Sequence, residues 1–420
     1  MKNIFKTEDF WSIWLGFLIF LLSSFIPKVP KFNTWEYNIF SIFHIEKIFI
    51  LGCILIGISI IYSFAMKVLN QSYRKFLLGF IFISILSILA LVMSSQVSAK
   101  AFGFGYAFWA LTIGLLISNT MGTPNWVKPS LKSEFFIKTG LVLLGAEILF
   151  PKIIGIGLPA LIVAWGVTPI VLIAMYYFGT RYLKLNKNLS IVISTATSVC
   201  GVSAAIAASA ASKAKKEELT LAVGMSMIFT VLMMIGMPVI IKIMGLSPEV
   251  GGAWIGGTID ATGAVVAAGA VLGNEAMNIA AIVKMLQNLM IGVIAFVIAV
   301  IWTSSIKKET TVQQISFLNE LWNRLPKFIL GFIGASLFFS FILYPIIGEV
   351  AVKEILKVTV SYRDLLFTLA FICIGLESNF KELKSHMVGG KPIILYVVGQ
   401  LFNLILTLFV AWLVFSGITF

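Results

Sequence analysis

Charge is scarce in this chain. Of 420 residues only 12% are Asp, Glu, Lys or Arg, 59% are apolar, and the mean hydropathy is +1.02. A soluble core of this size carries about twice that share of charge, so the composition predicts an all-α polytopic membrane protein. Histidine is nearly absent, with His44 and His386 alone, which excludes a histidine metal cluster. The three cysteines, Cys53, Cys200 and Cys373, stand far apart in apolar surroundings and give no disulfide framework. There is no Gly-rich loop ending in Gly-Lys-Ser/Thr, so ATP does not drive the protein, and no cofactor is implied. A membrane-embedded enzyme would need a nucleophile and base pair or a set of metal ligands, and neither is present. The first apolar run lacks a small-residue cleavage pattern and is read as a retained helix. The net charge of +13 is scattered through short loops, where it reports topology; it does not form a nucleic-acid patch.

Length and hydropathy are what the chain has in abundance. Runs long enough to span fall near 10–26, 47–66, 76–95, 101–121, 135–150, 153–178, 218–245, 275–303, 327–347, 364–378 and 391–418, eleven in all. The polar connector 303–323, with Lys307 and Lys308, is read as an interfacial helix joining two halves. An internal repeat pairs Gly145, Glu147 and Phe150 with Gly375, Glu377 and Phe380, and Gly157 and Pro159 with Gly390 and Pro392. Faint duplication of this kind is a mark of inverted-repeat transporters. The expected division is 1–100 as peripheral N-terminal helices, 101–250 as a first transporter half and 251–420 as a second.

Two segments rich in Gly, Ala, Ser and Thr come on top of the eleven spans, at 190–213 and 251–269. Hydrocarbon offers no hydrogen bonds, so such segments face protein or an aqueous cavity. Tight helix packing explains either one alone, whereas two, one of them with a carboxylate at membrane depth, point to a binding site. They are either crossing broken helices or re-entrant. The re-entrant reading, with the N-terminus cytoplasmic, puts more of the loop Lys and Arg inside, including Lys213, Lys215 and Lys216, and has the segments enter from opposite faces. The expected breaks are at Gly201 and Gly263, where free helix N-termini face a ligand. Thr197, Ser198, Cys200, Gly201, Ser203, Thr262 and Gly263 are the candidate substrate contacts there. Cys200 as a catalytic thiol has no histidine in its segment to activate it. Lys284, Gln287 and Asn288 fall on one face of the next apolar run and make a plausible anion cradle; a lysine snorkelling to an interface is the alternative. Asp260 could pair with Lys284, bind a coupling proton or sodium ion, or cap the helix that follows it. Glu147 and Glu377, near helix ends, are further candidates for ion coupling or for hydrated interfacial carboxylates.

The run Thr197-Ser198-Val199-Cys200-Gly201-Val202-Ser203-Ala204-Ala205-Ile206-Ala207-Ala208 resembles the signature of the sulfate exporter family of membrane transporters. Val265 to Gly269, Val283-Lys284, Leu143-Leu144-Gly145 and Gly390-Lys391-Pro392 carry the same likeness, from about Phe135 onward. The resemblance implies a secondary carrier of small anions, with sulfate or organosulfonates the usual substrates, and a distant relation to transporters with unwound helices at mid-membrane. The sequence departs from the commoner pattern where Asp260, Ala261 and Ala264 replace a His, an acid and a Gln, and where Gln287 replaces an Arg. Those departures fall in the site and bear on substrate more than on fold.

The expected function is thus a secondary active transporter of a small anion, in the export direction, working by alternating access around a mid-membrane site. An anion channel is the main alternative. The expected partners are the anion, a coupling proton or sodium ion, the bilayer of the cytoplasmic membrane and a second copy of the chain.

Overall fold

The structure is a computed structural model that describes residues 7–37, 45–101, 104–148, 150–305, 326–380 and 390–416. Each apolar run carries helix. In chain order these are α1 (Glu8–Leu22), α2 (Ile45–Val68), α3 (Tyr73–Ser94), α4 (Tyr106–Thr120), α5 (Ser133–Glu147), α6 (Phe150–Leu161), α7 (Val167–Tyr177), α8 (Lys187–Ser198), α9 (Val202–Ser212), α10 (Lys216–Met244), α11 (Pro248–Thr258), α12 (Thr262–Leu272), α13 (Asn274–Ser305), α14 (Phe328–Leu337), α15 (Tyr344–Glu377) and α16 (Lys391–Phe415). Helices α6 and α7 are joined through a π-helical turn at Ile162–Gly166. Seven helices among the described residues are long and apolar enough to cross a membrane. The chain is a polytopic α-helical membrane protein. The expected interfacial helix lies, from residue 306 on, outside the described residues.

Contacts divide the chain into two compact units, Met1–Ile153 with Lys327–Asn379, and Ile154–Pro326 with Phe380–Phe420. This division cuts across the halves 101–250 and 251–420 expected from sequence order. The reason lies in the packing, since the repeated Gly/Glu helices α5 and α15 pack on each other and so draw pieces of both halves into one unit.

In the first unit α5 is buried along almost its whole length and packs against α1, α14 and α15. Close backbone approach is built in by glycine. A Cβ on Gly114 of α4 would stand 2.8 Å from the Cα of Gly375 on α15, and the reverse contact is equally short. Helix α15 carries a kink at Gly348, whose φ of +79° is open to glycine and strained for other residues.

The second unit is built on two hairpins. Arms α8 and α9, and arms α11 and α12, are 11 or 12 residues long, about 17 Å at the α-helical rise, roughly half the depth of a hydrocarbon core. Each hairpin returns to the side from which it enters. At the first mouth Asn186 donates to Glu218 at 3.0 Å, which brings the start of α8 to the start of α10, and Trp302 near the end of α13 donates to Asn188 at 2.8 Å. At the second mouth a Cβ on Gly251 would lie 2.8 Å from Ile241 at the end of α10 and 3.5 Å from Leu272 at the end of α12, and one on Gly252 would lie 2.9 Å from Ala276 at the start of α13. Helices α10 and α13 therefore run antiparallel and link the mouths, so the hairpins enter from opposite ends and meet tip to tip. The segments are re-entrant.

Local sequence explains the turns. Asn186 accepts from the Asn188 amide and Ser247 from the Val250 amide, each starting an entering arm, with Pro248 in the first turn of α11. Glu218 closes back on the Lys215 amide at 2.8 Å to start α10.

Candidate functional site

The hairpin tips are the chemically demanding part of the fold. An arm that ends at mid-depth leaves its last carbonyls without helical partners, and no water-filled surface is at hand to take them. Side chains from α13 and α16 meet that need. Lys284, fully buried, donates to the Val199 carbonyl and, at 2.7 Å, to Gln287 Oε1. Gln287 Nε2 lies 3.0 Å from the Ser198 carbonyl, 3.1 Å from the Gly257 carbonyl and 3.2 Å from Thr168 Oγ1, so one amide bridges both tips. From α16, Gln400 donates to the Thr258 carbonyl at 3.2 Å and Asn403 to the Thr197 carbonyl at 3.4 Å. One ammonium and three side-chain amides thus gather on the carbonyl ends of α8 and α11, where the helix dipoles are negative.

The first break is at Gly201, as the sequence predicts. Its φ of +53° suits glycine, and a Cβ there would stand 3.1 Å from the Cβ of Asp260 on the other tip. The second break is not at Gly263. It spans Ile259 to Ala261, all in extended or ordinary backbone, and Gly263 lies buried in the first turn of α12. No positive φ is needed at this tip, so no glycine marks it. Asp260, 1% exposed, accepts from Ser226 of α10 at 2.9 Å and from the Tyr396 hydroxyl of α16. The Asp260–Lys284 pair, one of the alternatives for Asp260, is not formed, because each group is held by other partners. Snorkelling of Lys284 to an interface is likewise overturned by its burial.

The remaining predicted residues sort as follows. Thr197 donates to the Ile193 carbonyl of its own helix, and Cys200 is buried in the tip. Ser203 is exposed in the first turn of α9. Asn288 donates to Thr262 at 3.1 Å. Glu147 and Glu377 belong to the first unit and not to the tips. Glu147 pairs with the buried Arg363, which also holds Asp364 at 2.8 Å, and Glu377 accepts from Ser133 at 2.9 Å. Ser226, Tyr396, Gln400, Asn403 and Arg363 escaped the sequence reading. For Arg363 the signal was present, a cation at the edge of an apolar run; the others are ordinary polar residues on long helices.

A second internal repeat also went unread. Ala204, Ala207, Ala208 and Ala210 of α9 recur as Ala264, Ala267, Ala268 and Ala270 of α12. Each hairpin is followed by a long helix, and α9 packs on α13 as α12 packs on α10. In this register Ser198 corresponds to Thr258, Cys200 to Asp260 and Gly201 to Ala261.

Two kinds of spare bonding capacity remain at the tips. Neither N-cap residue, Gly201 of α9 nor Ala261 of α12, supplies a side-chain cap, so amides of the first turns are donors beside the tips. Ser198 Oγ, Thr258 Oγ1, Asp260 Oδ1, Asn288 Oδ1 and Gln400 Oε1 are buried oxygens without a hydrogen-bond partner.

Antiparallel long helices with re-entrant hairpins meeting tip to tip, and ionisable groups sealed at their junction, define a polytopic membrane protein with an internal polar site. The chain belongs to the UPF0324 family of membrane proteins: the family model described as conserved hypothetical protein 698 matches residues 78–396. It is 50% identical over 87% of its length to a UPF0324 membrane protein of Nitratidesulfovibrio vulgaris, and 49% identical over 93% of its length to one of Rhodopirellula baltica. It spans 64% and 72% of those two relatives. The UPF0324 inner membrane protein YeiH of Escherichia coli is 26% identical over 83% of the chain, which covers 94% of that relative. No solved structure matches.

Proposed function

We propose that the protein is a secondary active transporter of a small anion, sulfate or an organosulfonate being the first class to test, in the export direction across the cytoplasmic membrane with its N-terminus inside. The observation that carries this reading is the meeting of two oppositely entering hairpins at mid-depth, with a fully buried lysine at the junction. Hairpins that enter from opposite ends make a junction to which each side has its own approach, the condition for alternating access. The first-turn amides of α9 and α12 are natural partners for an oxyanion, and Lys284 supplies the compensating charge. Lys284 is also structural, since it holds the Val199 carbonyl.

The test is counterflow in proteoliposomes loaded with sulfate, sulfite, sulfonates or carboxylates. A carrier shows uptake of labelled anion stimulated by unlabelled anion on the far side; conductance without such stimulation would identify a channel. Lys284→Ala should abolish anion-dependent stabilisation in a thermal-shift titration while lowering stability by about 1–3 kcal/mol, the cost of a stranded buried carbonyl. Lys284→Arg should not restore binding, because the forked guanidinium cannot reproduce a point donor. Unchanged anion affinity in the alanine variant refutes the assignment.

A further inference from the structure

The spare capacity around Asp260 has a definite sign. Its Oδ2 is taken by Ser226 and Tyr396, while Oδ1 is buried and unpartnered. Two residues earlier Thr258 Oγ1 is also buried and unpartnered. Gln400 follows Tyr396 by one turn of α16, and its nitrogen is fixed by the Thr258 carbonyl at 3.2 Å and the Met233 sulfur at 2.9 Å. A carbonyl can only accept, so the amide must present its nitrogen to Thr258; its free end is Oε1, again buried without a partner. Ser226 and Tyr396 serve Oδ2, Gln400 Nε2 serves the Thr258 carbonyl, and Lys284 serves the Val199 carbonyl and Gln287. Three side-chain oxygens of three kinds, carboxylate, hydroxyl and amide, are left without a partner on residues tied to the second tip through the Thr258–Gln400 and Asp260–Tyr396 bonds.

We propose that a sodium ion binds there, held by Asp260 Oδ1, Thr258 Oγ1 and Gln400 Oε1, and that it is the cation coupled to anion movement. All three ligands are hard oxygens, the donors that suit alkali and alkaline-earth ions over transition metals. One carboxylate balances one positive charge, which favours a monovalent ion over calcium or magnesium. The first tip offers no equivalent, because the counterpart of Asp260 is Cys200, buried and uncharged in an apolar cluster. The coupling role rests on the transport reading above; the binding site does not.

Sodium binding is measured on purified full-length protein in detergent, with chloride as the sole anion. Melting temperature is compared in sodium, potassium and choline chloride at equal ionic strength. The expected result is a saturable, sodium-specific rise of roughly 1–2 °C at about ten times Kd. Thr258→Val preserves the shape of the side chain and removes a hydroxyl that has no partner in the fold, so this variant should fold and should need at least roughly tenfold more sodium. Asp260→Asn should abolish the response. A parent protein that does not distinguish sodium from choline overturns the site, as does a Thr258→Val variant with unchanged sodium response. A response to pH alone assigns the spare oxygens to a proton and water, and also overturns it. Sodium binding with no counterflow of any anion would leave the site standing and remove the transport reading; counterflow with no sodium response would do the reverse.

Discussion

At the scale of single residues, Gly201 and Gly236 make opposite predictions from the same substitution. Gly201 has positive φ and its missing Cβ faces Asp260, so Gly201→Ala should cost about 1–2 kcal/mol in backbone strain alone and displace the tip. Gly236 lies inside α10 with open space where a Cβ would go, so Gly236→Ala should raise stability by about 0.5–1 kcal/mol. Melting curves of the two variants check the pair of signs; a neutral Gly201→Ala would mean that the tip does not depend on this backbone conformation. Residue type announced some of the site and not the rest. Asp260 and Lys284 stood out because charge is rare in an apolar run, and both lie at the tips. Their mutual pairing, one of the alternatives for Asp260, failed because sequence shows that opposite charges exist but not that Ser226, Tyr396 and two helix ends compete for them. Gln400 and Tyr396 carry no charge and no motif, and nothing short of the packing of α16 distinguishes them.

At the scale of elements, segment length and loop charge favoured re-entrant segments in the sequence but left crossing broken helices open. An arm of 11 residues cannot span. What sequence did not separate was a single broken helix of two such arms from a hairpin of the same arms, since the two differ only in the angle at residues 199–201 and 259–261. Contacts at the mouths decide this. Cysteines placed at Lys216 and at Glu275, both exposed and each just beyond a hairpin, should therefore react with a membrane-impermeant reagent from opposite faces. In the orientation proposed above, with Lys216 cytoplasmic, only the cysteine at position 275 should be labelled in intact cells. Labelling of both from outside would be incompatible with antiparallel α10 and α13. The second internal repeat was hidden for a related reason: small residues interchange freely at close-packed interfaces, so Ala and Ser hold the fold in register with little identity to find.

At the scale of the molecule, each of the two units is assembled from two separate stretches of the chain, and each has its own buried charge. In the first, Arg363 is 1% exposed and serves both Glu147 and Asp364. Removing it strands carboxylates in a low-dielectric interior, so Arg363→Met should cost about 3–5 kcal/mol, and Glu147→Leu added to it should return part of that loss. Because Arg363 shares no partner with the tips, its effect should add to that of Gly201→Ala within about 0.5 kcal/mol. Strong non-additivity in a thermal or denaturant series would show that the units are energetically one. Sequence order could not yield this division, since it is the contacts of α5 with α15 that set it and not their distance along the chain.

The pseudo-symmetry of the hairpins has one further consequence. A body with a perfect two-fold axis in the membrane plane is identical seen from either compartment, and nothing in its structure could then prefer outward over inward flow. Here the two tips match arm for arm, yet one carries the carboxylate of Asp260 where the other carries the thiol of Cys200. That mismatch of charge gives the molecule a polarity. It acts as a built-in arrow, placing the charge-bearing tip on one hairpin only; on the carrier reading proposed above, exchanging the two residues should reverse the sense in which a cation gradient rectifies the flow.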